Sequence, residues 1–557
     1  MEKKIIYSLF FIVVIWGAFL RFYYIDEESL WIDEGFTIMQ SKAIGEHGYP
    51  MLPSGKTDFK DILLPYLLAL PGIIFGDNVP LFRSISAIFG VFSIVLAFFI
   101  GKKIANQKMG LLFSFFISFS YWHVAWSRQI RSYSLVVFLI LIALYFLIGY
   151  HKKKKKRNIF SVFSYFDYQR NKLAEKYLYW ALLGILLASL SKIFAFLLLP
   201  PVVIFIFLKE DRKIARITLL FLFIISLSGW FWASKVFNFT LNNYAGFYFF
   251  GYFWKSYQLI FLLFLTGIPI AMKYDFENKK LHWFNFVSFV SIFIFYSFFV
   301  YVNQSRYLFP LSVFFYLYAT YTIYYFSYYF VDRKMVYWLT IILVVTIDIF
   351  TAQSFQFRPR TDYPLEYFTP QPEFRKAYNF LESNMNNDAV IISAYPFMDQ
   401  ICLGKSNYAL AISYTGSSRD LSVTEDRKEY YSGTPEILST GEMINLQKKQ
   451  DLYFLFDRMA LSRVNSELVG FIQEYGKSVF SSSEKNVSKS VFVYEIKKES
   501  LNWLDESEKS SSGEIIDVTE GEPLNIDQLK TEDGSSATGE SVKETASDEQ
   551  PEIEISD

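Results

Sequence analysis

Residues 79–101 read VPLFRSISAIFGVFSIVLAFFIG, an apolar run with a single charge at Arg83. A helix needs about 20 such residues to cross a hydrocarbon core of about 30 Å, so this run predicts a transmembrane helix. Similar runs recur from residue 5 to residue 352, and they predict spans at 5–25, 79–101, 110–126, 133–150, 177–191, 193–208, 217–233, 257–272, 282–302, 307–330 and 335–352. We therefore expect an all-α polytopic transmembrane helical bundle of about 11 spans.

The composition supports a membrane protein and excludes several other classes. Of the 557 residues, 52% are hydrophobic and 20% are aromatic, which is far from the usual soluble range. The 54 basic and 54 acidic residues cancel, so nucleic acid is not an expected partner. Cys402 is the single cysteine and the four histidines are scattered, so the sequence predicts neither a disulfide scaffold nor a histidine-based metal site.

Lysine and arginine in the short loops predict the orientation, because basic residues collect on the cytoplasmic side. They fall on alternate connections, at Lys3–Lys4, 102–108, 152–157, 209–216, 273–280 and Arg333–Lys334. This pattern puts the N-terminus inside and both the 26–78 loop and the chain after residue 352 outside the cytoplasmic membrane. The 152–157 run also fits a patch that binds anionic lipids.

The composition changes after residue 352, where prolines mark a linker to a mixed pattern. Residues 373–384 predict a helix, and 389–394, 452–456 and 491–496 predict strands. We expect three parts: a transmembrane domain at 1–352, an extracytoplasmic α/β domain at 353–500, and a disordered acidic tail at 501–557, whose sequence lacks the apolar residues for a core.

Acidic residues cluster at the start of the first outer loop. Trp31 can seat this segment at the membrane interface and present Asp33 and Glu34 beside it. Adjacent carboxylates raise each other's pKa, and a partly desolvated one can serve as a general base. An ordinary solvated acidic loop explains the same residues, and both interpretations stay open at this point.

Several basic residues depart from the positive-inside pattern: Arg83, Arg128, Arg131, Lys192 and Arg306. A phosphate leaving group near the outer leaflet would explain the arginines, because guanidinium groups bind phosphate bidentately and neutralise developing charge. Lys192 is equally explained as a residue that anchors a helix end.

Three segments together resemble a known family: Ser29–Phe36 (SLWIDEGF), Trp126–Tyr133 (WSRQIRSY) and Gln304–Pro310 (QSRYLFP). They are similar to integral-membrane glycosyltransferases of the GT-C fold, and more narrowly to bacterial enzymes of glycosyltransferase family 39 that are protein-mannosyltransferase-like or lipid A aminoarabinose-transferase-like. The resemblance covers roughly residues 1–352 and is strongest up to residue 150. The segment Phe59–Tyr66 departs from the family's Pro-Pro-Leu-Tyr-like stretch, so we expect the acceptor-side surface of the loop to differ from that of the family.

The resemblance implies a cell-envelope enzyme that moves a sugar from a polyprenyl-phosphate donor to an acceptor hydroxyl of a glycan, lipid or protein, with inversion. It implies Asp33 and Glu34 as the catalytic carboxylates. It implies a phosphate site formed by Arg83, Arg128, Arg131, Arg306 and Tyr307.

No cofactor is expected, although a divalent metal between carboxylate and phosphate is possible. Two other functions fit a protein with many spans. One is an O-antigen-polymerase-like glycan ligase, for which a large central outer loop would be typical. The other is a flippase or transporter of lipid-linked sugars, for which charges along a mid-membrane path would be typical.

Overall fold

The computed structural model describes residues 2–153, 164–207, 245–299, 304–330, 354–361, 363, 372–410, 426–482, 489–498 and 500–501. Its N-terminal part is helical, with α1 Glu2–Phe22, α2 Ile32–His47, α3 Leu63–Phe75, α4 Val79–Ile104, α5 Gln107–Phe119, α6 Tyr121–Ser127, α7 Tyr133–Lys153, α8 Ser164–Ser191, α9 Leu199–Phe207, α10 Ala245–Tyr274, α11 Lys279–Phe299 and α12 Ser312–Phe330. Short 3₁₀ helices at Ile193–Leu198 and Ser305–Leu311 precede α9 and α12.

Within the described residues, six helices are long and apolar enough to cross a membrane: Lys3–Phe22, Val79–Ile104, Tyr133–Lys153, Lys172–Ser191, Tyr248–Tyr274 and Lys279–Phe298. The chain is a multi-pass membrane protein. The expected spans 217–233 and 335–352 lie outside the described residues, so the total of eleven stays a prediction.

Three of the predicted spans are not continuous α-helices. The predicted span 110–126 is divided at Ser120, because residues 119–121 turn aside to pair with residues 354–356 through Tyr121 N to Ser354 O and Gln356 N to Phe119 O, at 3.1 and 2.7 Å. The predicted spans 193–208 and 307–330 each begin as a 3₁₀ helix. These irregular stretches place residues 128–132 and 305–307 on the same side as the first loop.

Close helix packing forms the core of the bundle. At the crossing of α4 and α5, a Cβ added to Gly101 would lie 2.7 Å from both the Cα and the N of Gly110. Only glycine at this position allows the two backbones to approach so closely. Large aromatic side chains fill the rest, and among the fully buried ones are Trp126, Tyr133 and Tyr316.

The C-terminal region is an α/β unit built on one sheet. Its strands are β1 Val390–Ser393, β2 Tyr408–Leu410, β3 Glu436–Ile437, β4 Leu452–Asp457, β5 Lys477–Ser481 and β6 Val491–Ile496, in the order β3-β2-β1-β4-β6-β5. The pairs among β1 to β4 are parallel, whereas β6 is antiparallel to both β4 and β5. The helices are α13 Phe374–Asn384, α14 Pro396–Cys402, α15 Thr440–Gln447, α16 Arg458–Leu461 and α17 Ser466–Tyr475.

The predicted helix at 373–384 and the three predicted strands are confirmed by α13, β1, β4 and β6. The expected domain boundaries stay predictions. Of the expected tail, only Leu501 is described, and it is buried; the remainder lies outside the described residues.

The C-terminal region rests on the first loop. Arg375 pairs with Asp26 at 3.0 Å, and the backbone N of Tyr363 donates to Glu28 Oε1 at 3.3 Å. Because these segments touch, the first loop and the C-terminal region lie on the same side of the membrane.

Candidate active site

Asp33 and Glu34 occupy the first turn of α2, and their side chains point to different surroundings. Successive residues of an α-helix are about 100° apart, so neighbours face different directions. The Glu34 side chain is fully buried, whereas the Asp33 side chain is 21% exposed. The sequence predicts one catalytic pair of carboxylates, but the structure separates them into an inner and an outer acid.

Glu34 is held by four hydrogen bonds. Arg83 donates through Nε to Oε1 at 3.0 Å and through Nη2 to Oε2 at 2.7 Å. The backbone N of Ile130 donates to Oε1 at 2.8 Å, and the backbone N of Trp31 donates to Oε2 at 3.0 Å. Glu34 therefore ties the start of α2 to α4 and to the 128–132 segment, and its oxygens are already saturated.

Arg83 is part of this buried pair. Beyond Glu34, its Nη1 and Nη2 donate to the backbone carbonyls of Ile25, Glu28 and Ser29 at 2.8 to 3.1 Å. A guanidinium group with every nitrogen engaged has no donor left for a phosphate. The contacts therefore do not support the expected phosphate-binding role of Arg83, and they indicate that it positions Glu34 instead.

Arg128 is also directed away from Asp33. Its Nη1 and Nη2 donate to the carbonyls at the end of α1 and just beyond it, namely Leu20, Arg21, Tyr23 and Tyr24. Its guanidinium carbon lies 4.8 Å from the ring centroid of Tyr363. Cations stabilise exposed carbonyls at helix ends, so these contacts fit a structural cap better than a phosphate ligand.

Arg131 and Arg306 meet at the Asp33 carboxylate. Arg131 Nη2 lies 3.3 Å and Arg306 Nη1 lies 3.1 Å from Asp33 Oδ2. Arg131 Nη1 also donates to the Asp33 carbonyl at 2.8 Å, which fixes its direction. These three residues are far apart in sequence, and the fold brings them together.

Nearby charges set the protonation state of Asp33. Burial favours the neutral acid, but Arg131 and Arg306, with smaller effects from Lys60 and Lys192, outweigh burial and lower the pKa of Asp33 below its usual value. The expectation that an adjacent carboxylate raises this pKa is wrong for Asp33. The reason is that Glu34 is neutralised by Arg83, while Asp33 faces two cations.

Aromatic rings support the two guanidinium groups. The guanidinium carbons of Arg131 and Arg306 lie 5.9 and 5.2 Å from the Trp31 ring centroid, and that of Arg306 lies 5.5 Å from the Tyr307 ring. Tyr307 itself stacks on Tyr296 with centroids 5.5 Å apart. Cation–π contacts of this kind restrain a cation without using its hydrogen bonds. Tyr307 thus restrains Arg306 through a cation–π contact.

A second ion pair lies beside this group, and sequence reasoning did not predict Asp61 as the acidic partner of Lys192. Lys192 is 4% exposed and pairs with Asp61, and its Nζ lies 4.9 Å from the Tyr133 ring centroid. Burial is the main reason that the pKa of Lys192 is lowered to about 8, and Asp61 opposes that shift. The signal was present in the sequence, because Lys192 departs from the positive-inside pattern just as Arg131 and Arg306 do.

The residues around Asp33 do not fit a divalent metal. Within the described part of the chain, no three His, Cys, Asp or Glu side chains lie close enough to hold an ion. Asp33 Oδ2 faces two arginines, and Glu34 is turned inward. Hard cations require several oxygen ligands, and the described residues around Asp33 do not supply them.

The chain is similar to one protein-family profile and to several solved structures. A sequence profile described as "Dolichyl-phosphate-mannose-protein mannosyltransferase" matches residues 60–166. The archaeal oligosaccharyltransferase AglB from Archaeoglobus fulgidus, in complex with an inhibitory peptide and a dolichol-phosphate, aligns with a TM-score of 0.54 and 11% identity over 88% of this chain and 74% of AglB. ArnT from Cupriavidus metallidurans bound to undecaprenyl phosphate aligns with a TM-score of 0.53 and 10% identity over 88% of this chain and 97% of ArnT.

The chain has the GT-C glycosyltransferase fold. No curated protein sequence matches it. The profile includes Arg83, Arg128 and Arg131 but ends well before Arg306 and starts after Asp33. At 10 to 11% identity, the structural likeness shows the fold alone, so the roles of individual residues rest on the geometry given above.

Proposed function

We propose that the protein transfers a sugar from a polyprenyl-phosphate donor to an acceptor hydroxyl on the outer face of the cytoplasmic membrane. The acceptor is a glycan, a lipid or a protein. Asp33 is the general base, and Arg131 and Arg306 bind the phosphate of the donor. One observation carries this proposal: two arginines from separate segments converge on the carboxylate of the first loop, at 3.3 and 3.1 Å.

The proposed reaction is a direct displacement. The acceptor oxygen forms a bond to the anomeric carbon while the bond from that carbon to the phosphate oxygen breaks, which inverts the configuration. The hydroxyl proton passes to Asp33, and the electron pair stays on the lipid phosphate. Arg131 and Arg306 neutralise the charge that develops on this leaving group, which is where electrostatic stabilisation is most effective.

Donor binding and base strength are coupled in this arrangement. Without a donor, both arginines interact with the Asp33 carboxylate and lower its pKa. A carboxylate with a low pKa is a weak base. A donor phosphate shares the same two cations, so each of them stabilises the Asp33 carboxylate less. The basicity of Asp33 therefore rises when the donor is in place.

The charge state of Arg131 supports its role in binding an anion. Within the described residues, its Nε has no hydrogen-bond partner. Asp33 is the largest of the groups that raise the pKa of Arg131 against the effect of burial, so the guanidinium stays charged. One donor of a fully charged group thus remains for a phosphate oxygen.

The ligands of the similar proteins agree with a lipid-phosphate donor. The AglB structure contains a dolichol-phosphate, and the ArnT structure contains undecaprenyl phosphate. The matching profile is named for a dolichyl-phosphate-mannose enzyme. These ligands share a phosphate on an isoprenoid chain. Two arginines at a membrane surface are suited to bind such a phosphate.

The proposal is tested by measuring the binding of undecaprenyl phosphate to the full-length protein in nanodiscs. Arg131→Ala and Arg306→Ala should each weaken binding about tenfold to a hundredfold, since a charge-assisted hydrogen bond contributes about 1.5–3 kcal/mol. Arg306→Lys should fall in between, because it keeps the charge but not the fork geometry.

Lys376→Ala is the matched control, since Lys376 pairs with Glu373 at the surface, at 2.6 Å. It should bind like the wild type. Equal affinity for the wild type and both arginine-to-alanine variants would refute the proposed phosphate site.

A further inference from the structure

A turn of the C-terminal region reaches the first loop close to Asp33. It spans residues 429–434, and the buried Glu429 carboxylate braces it from within. That carboxylate accepts from the backbone N of Tyr431 at 3.1 Å, and from both the backbone N and the hydroxyl of Ser432 at 2.6 Å. A turn stiffened in this way presents Tyr431 in a fixed position.

Tyr431 contacts two parts of the first loop at once. Its ring stacks on Phe36 with centroids 4.2 Å apart and planes 19° apart. Its hydroxyl donates to Asp58 Oδ2 at 3.3 Å. Phe36 lies one turn after Asp33 on the same face of α2, so a contact on Phe36 restrains the rotation of the turn that carries Asp33.

A second aromatic residue of the C-terminal region approaches the same turn. The Phe397 ring lies 4.8 Å from Phe36, centroid to centroid. A Cβ added to Gly35 would lie 2.7 Å from a ring carbon of Phe397. Glycine at position 35 therefore permits a close approach that a larger residue would allow only if the Phe397 ring shifted. The residues directly after Asp33 and Glu34 are thus packed against the C-terminal region.

Asp58 lies in the same short segment as Asp61, which forms the second ion pair of the site with Lys192. Gln40 on α2 donates to the carbonyls of Asp58 and Lys60 at 3.4 and 3.1 Å. The next residue, Asp61, pairs with Lys192. A restraint at Asp58 is therefore a restraint on the segment that supplies Lys60 and Asp61 to the surroundings of Asp33.

We propose that Tyr431 and Phe397 are positioning residues for the reaction, acting through Phe36 on Asp33 and through Asp58 on the 58–61 segment. This inference rests on the proposed function. It gives the C-terminal region a role in setting the geometry of the site. Other contacts, such as Arg375 with Asp26, also hold the region against the first loop, so the hydroxyl of Tyr431 can be removed without detaching the region.

Tyr431→Phe is the decisive variant, because it keeps the ring and removes only the hydrogen bond to Asp58. Tyr453→Phe is the matched control: it also removes a tyrosine–carboxylate hydrogen bond, to Glu495 at 2.6 Å, but within the sheet. Both variants are made in the full-length chain in nanodiscs. Hydrogen exchange of residues 54–62 and turnover of a polyprenyl-phosphate sugar are measured in each.

Tyr431→Phe should speed exchange in residues 54–62 about threefold to tenfold, as expected for the loss of one hydrogen bond. It should lower kcat by a similar factor and leave the affinity for undecaprenyl phosphate unchanged, since both arginines stay in place. Phe397→Leu should speed exchange in residues 32–40 and lower kcat in the same way. Neither effect should appear in Tyr453→Phe.

Identical exchange and identical kcat for Tyr431→Phe and Tyr453→Phe would overturn the inference. A loss of undecaprenyl phosphate affinity equal to the loss of kcat would also overturn it, because it would place Tyr431 in donor binding. The exchange measurement needs no substrate. A wild-type protein without transfer activity would therefore refute the proposed function, while faster exchange in Tyr431→Phe would still show the restraint itself.

Discussion

Asp33 and Glu34 are neighbours in sequence with separate tasks. Glu34 is saturated by Arg83 and two backbone N–H groups, whereas Asp33 is partly exposed between Arg131 and Arg306. The inner acid fixes the segments that hold the arginines. The outer acid is free to exchange its partners with a substrate. Rigid support behind a reactive group is what precise positioning requires.

The pH dependence of the reaction should show the effect of Arg131 and Arg306 on the pKa of Asp33. Asp33 acts as a base only when ionised, so kcat/KM falls as the pH drops through its pKa in the free enzyme. The two arginines lower that pKa, and the acid limb of the wild type should lie below the ordinary range of aspartate. Arg306→Ala removes one cation and should move the acid limb to higher pH.

Arg306→Lys serves as the control for this pH profile, because it retains the positive charge and should keep the acid limb low. An identical acid limb in the wild type and in Arg306→Ala would show that Arg306 does not set the protonation of Asp33.

Glu34 should matter for stability. Glu34→Gln removes the carboxylate that is paired with the buried Arg83 guanidinium, and breaking a buried pair in this way costs about 3–5 kcal/mol. We expect a clearly lower melting temperature in detergent. Glu46→Gln is the control, since Glu46 is 52% exposed and should leave the melting temperature unchanged. Equal melting temperatures for Glu34→Gln and the wild type would contradict the structural role.

The sequence predicts the site residues only in part. Arg83, Arg128, Arg131 and Arg306 all satisfy the same criterion, a basic residue on the outer side or in a span. Two of them contact Asp33, whereas Arg83 contacts Glu34 and Arg128 contacts carbonyls at the end of α1 and just beyond it. A linear sequence does not show which acceptor lies next to a guanidinium in the fold, so the criterion finds the candidates but not their roles.

At the scale of elements, irregular stretches build the site. The division at Ser120 and the 3₁₀ helix at Ser305–Leu311 carry the chain to Arg131 and Arg306. Hydropathy predicts where apolar segments lie, and the structure describes helices in each predicted span within its range. Hydropathy does not reveal breaks, because this one is held by tertiary hydrogen bonds: Ser120 bonds to Tyr316, and its neighbours Phe119 and Tyr121 bond to the backbone of residues 354–356.

The crossing of α4 and α5 should tolerate no side chain at Gly101. The atoms nearest to an added Cβ there belong to the backbone of Gly110 and Met109, at 2.7 Å, so the helices must separate. Gly101→Ala should destabilise the protein by about 1–3 kcal/mol, seen as a lower melting temperature.

Gly251→Ala is the matched helical control, because a Cβ at Gly251 meets nothing within 4 Å. This variant should be neutral or slightly stabilising. Equal melting temperatures for Gly101→Ala and Gly251→Ala would show that the close crossing of α4 and α5 does not contribute to stability.

At the scale of the whole molecule, the contacts of the C-terminal region with the first loop fix their relation to the membrane. Both lie on one side, and the distribution of lysine and arginine predicts that this side is the outside. Lys273 at the end of α10 and Lys279 and Lys280 at the start of α11 flank the loop between these helices, which is therefore predicted to lie in the cytoplasm.

The single cysteine makes this topology easy to test. In a Cys402→Ser background, Asp388→Cys in the C-terminal region and Glu277→Cys between α10 and α11 are matched exposed positions. A membrane-impermeant maleimide added to intact cells should label Asp388→Cys and spare Glu277→Cys until the cells are broken. The reverse pattern would place the candidate site in the cytoplasm.

The central claim is that Asp33 takes the proton of the acceptor while lipid phosphate leaves. It is tested most directly by turnover of undecaprenyl-phosphate-linked sugars by purified protein, with membrane extract as the source of acceptors. The wild type should consume the donor, and Asp33→Asn should lose at least about a hundredfold in kcat, as expected for a general base. It should retain its affinity for undecaprenyl phosphate and its melting temperature. Full turnover by Asp33→Asn at wild-type expression would contradict the account.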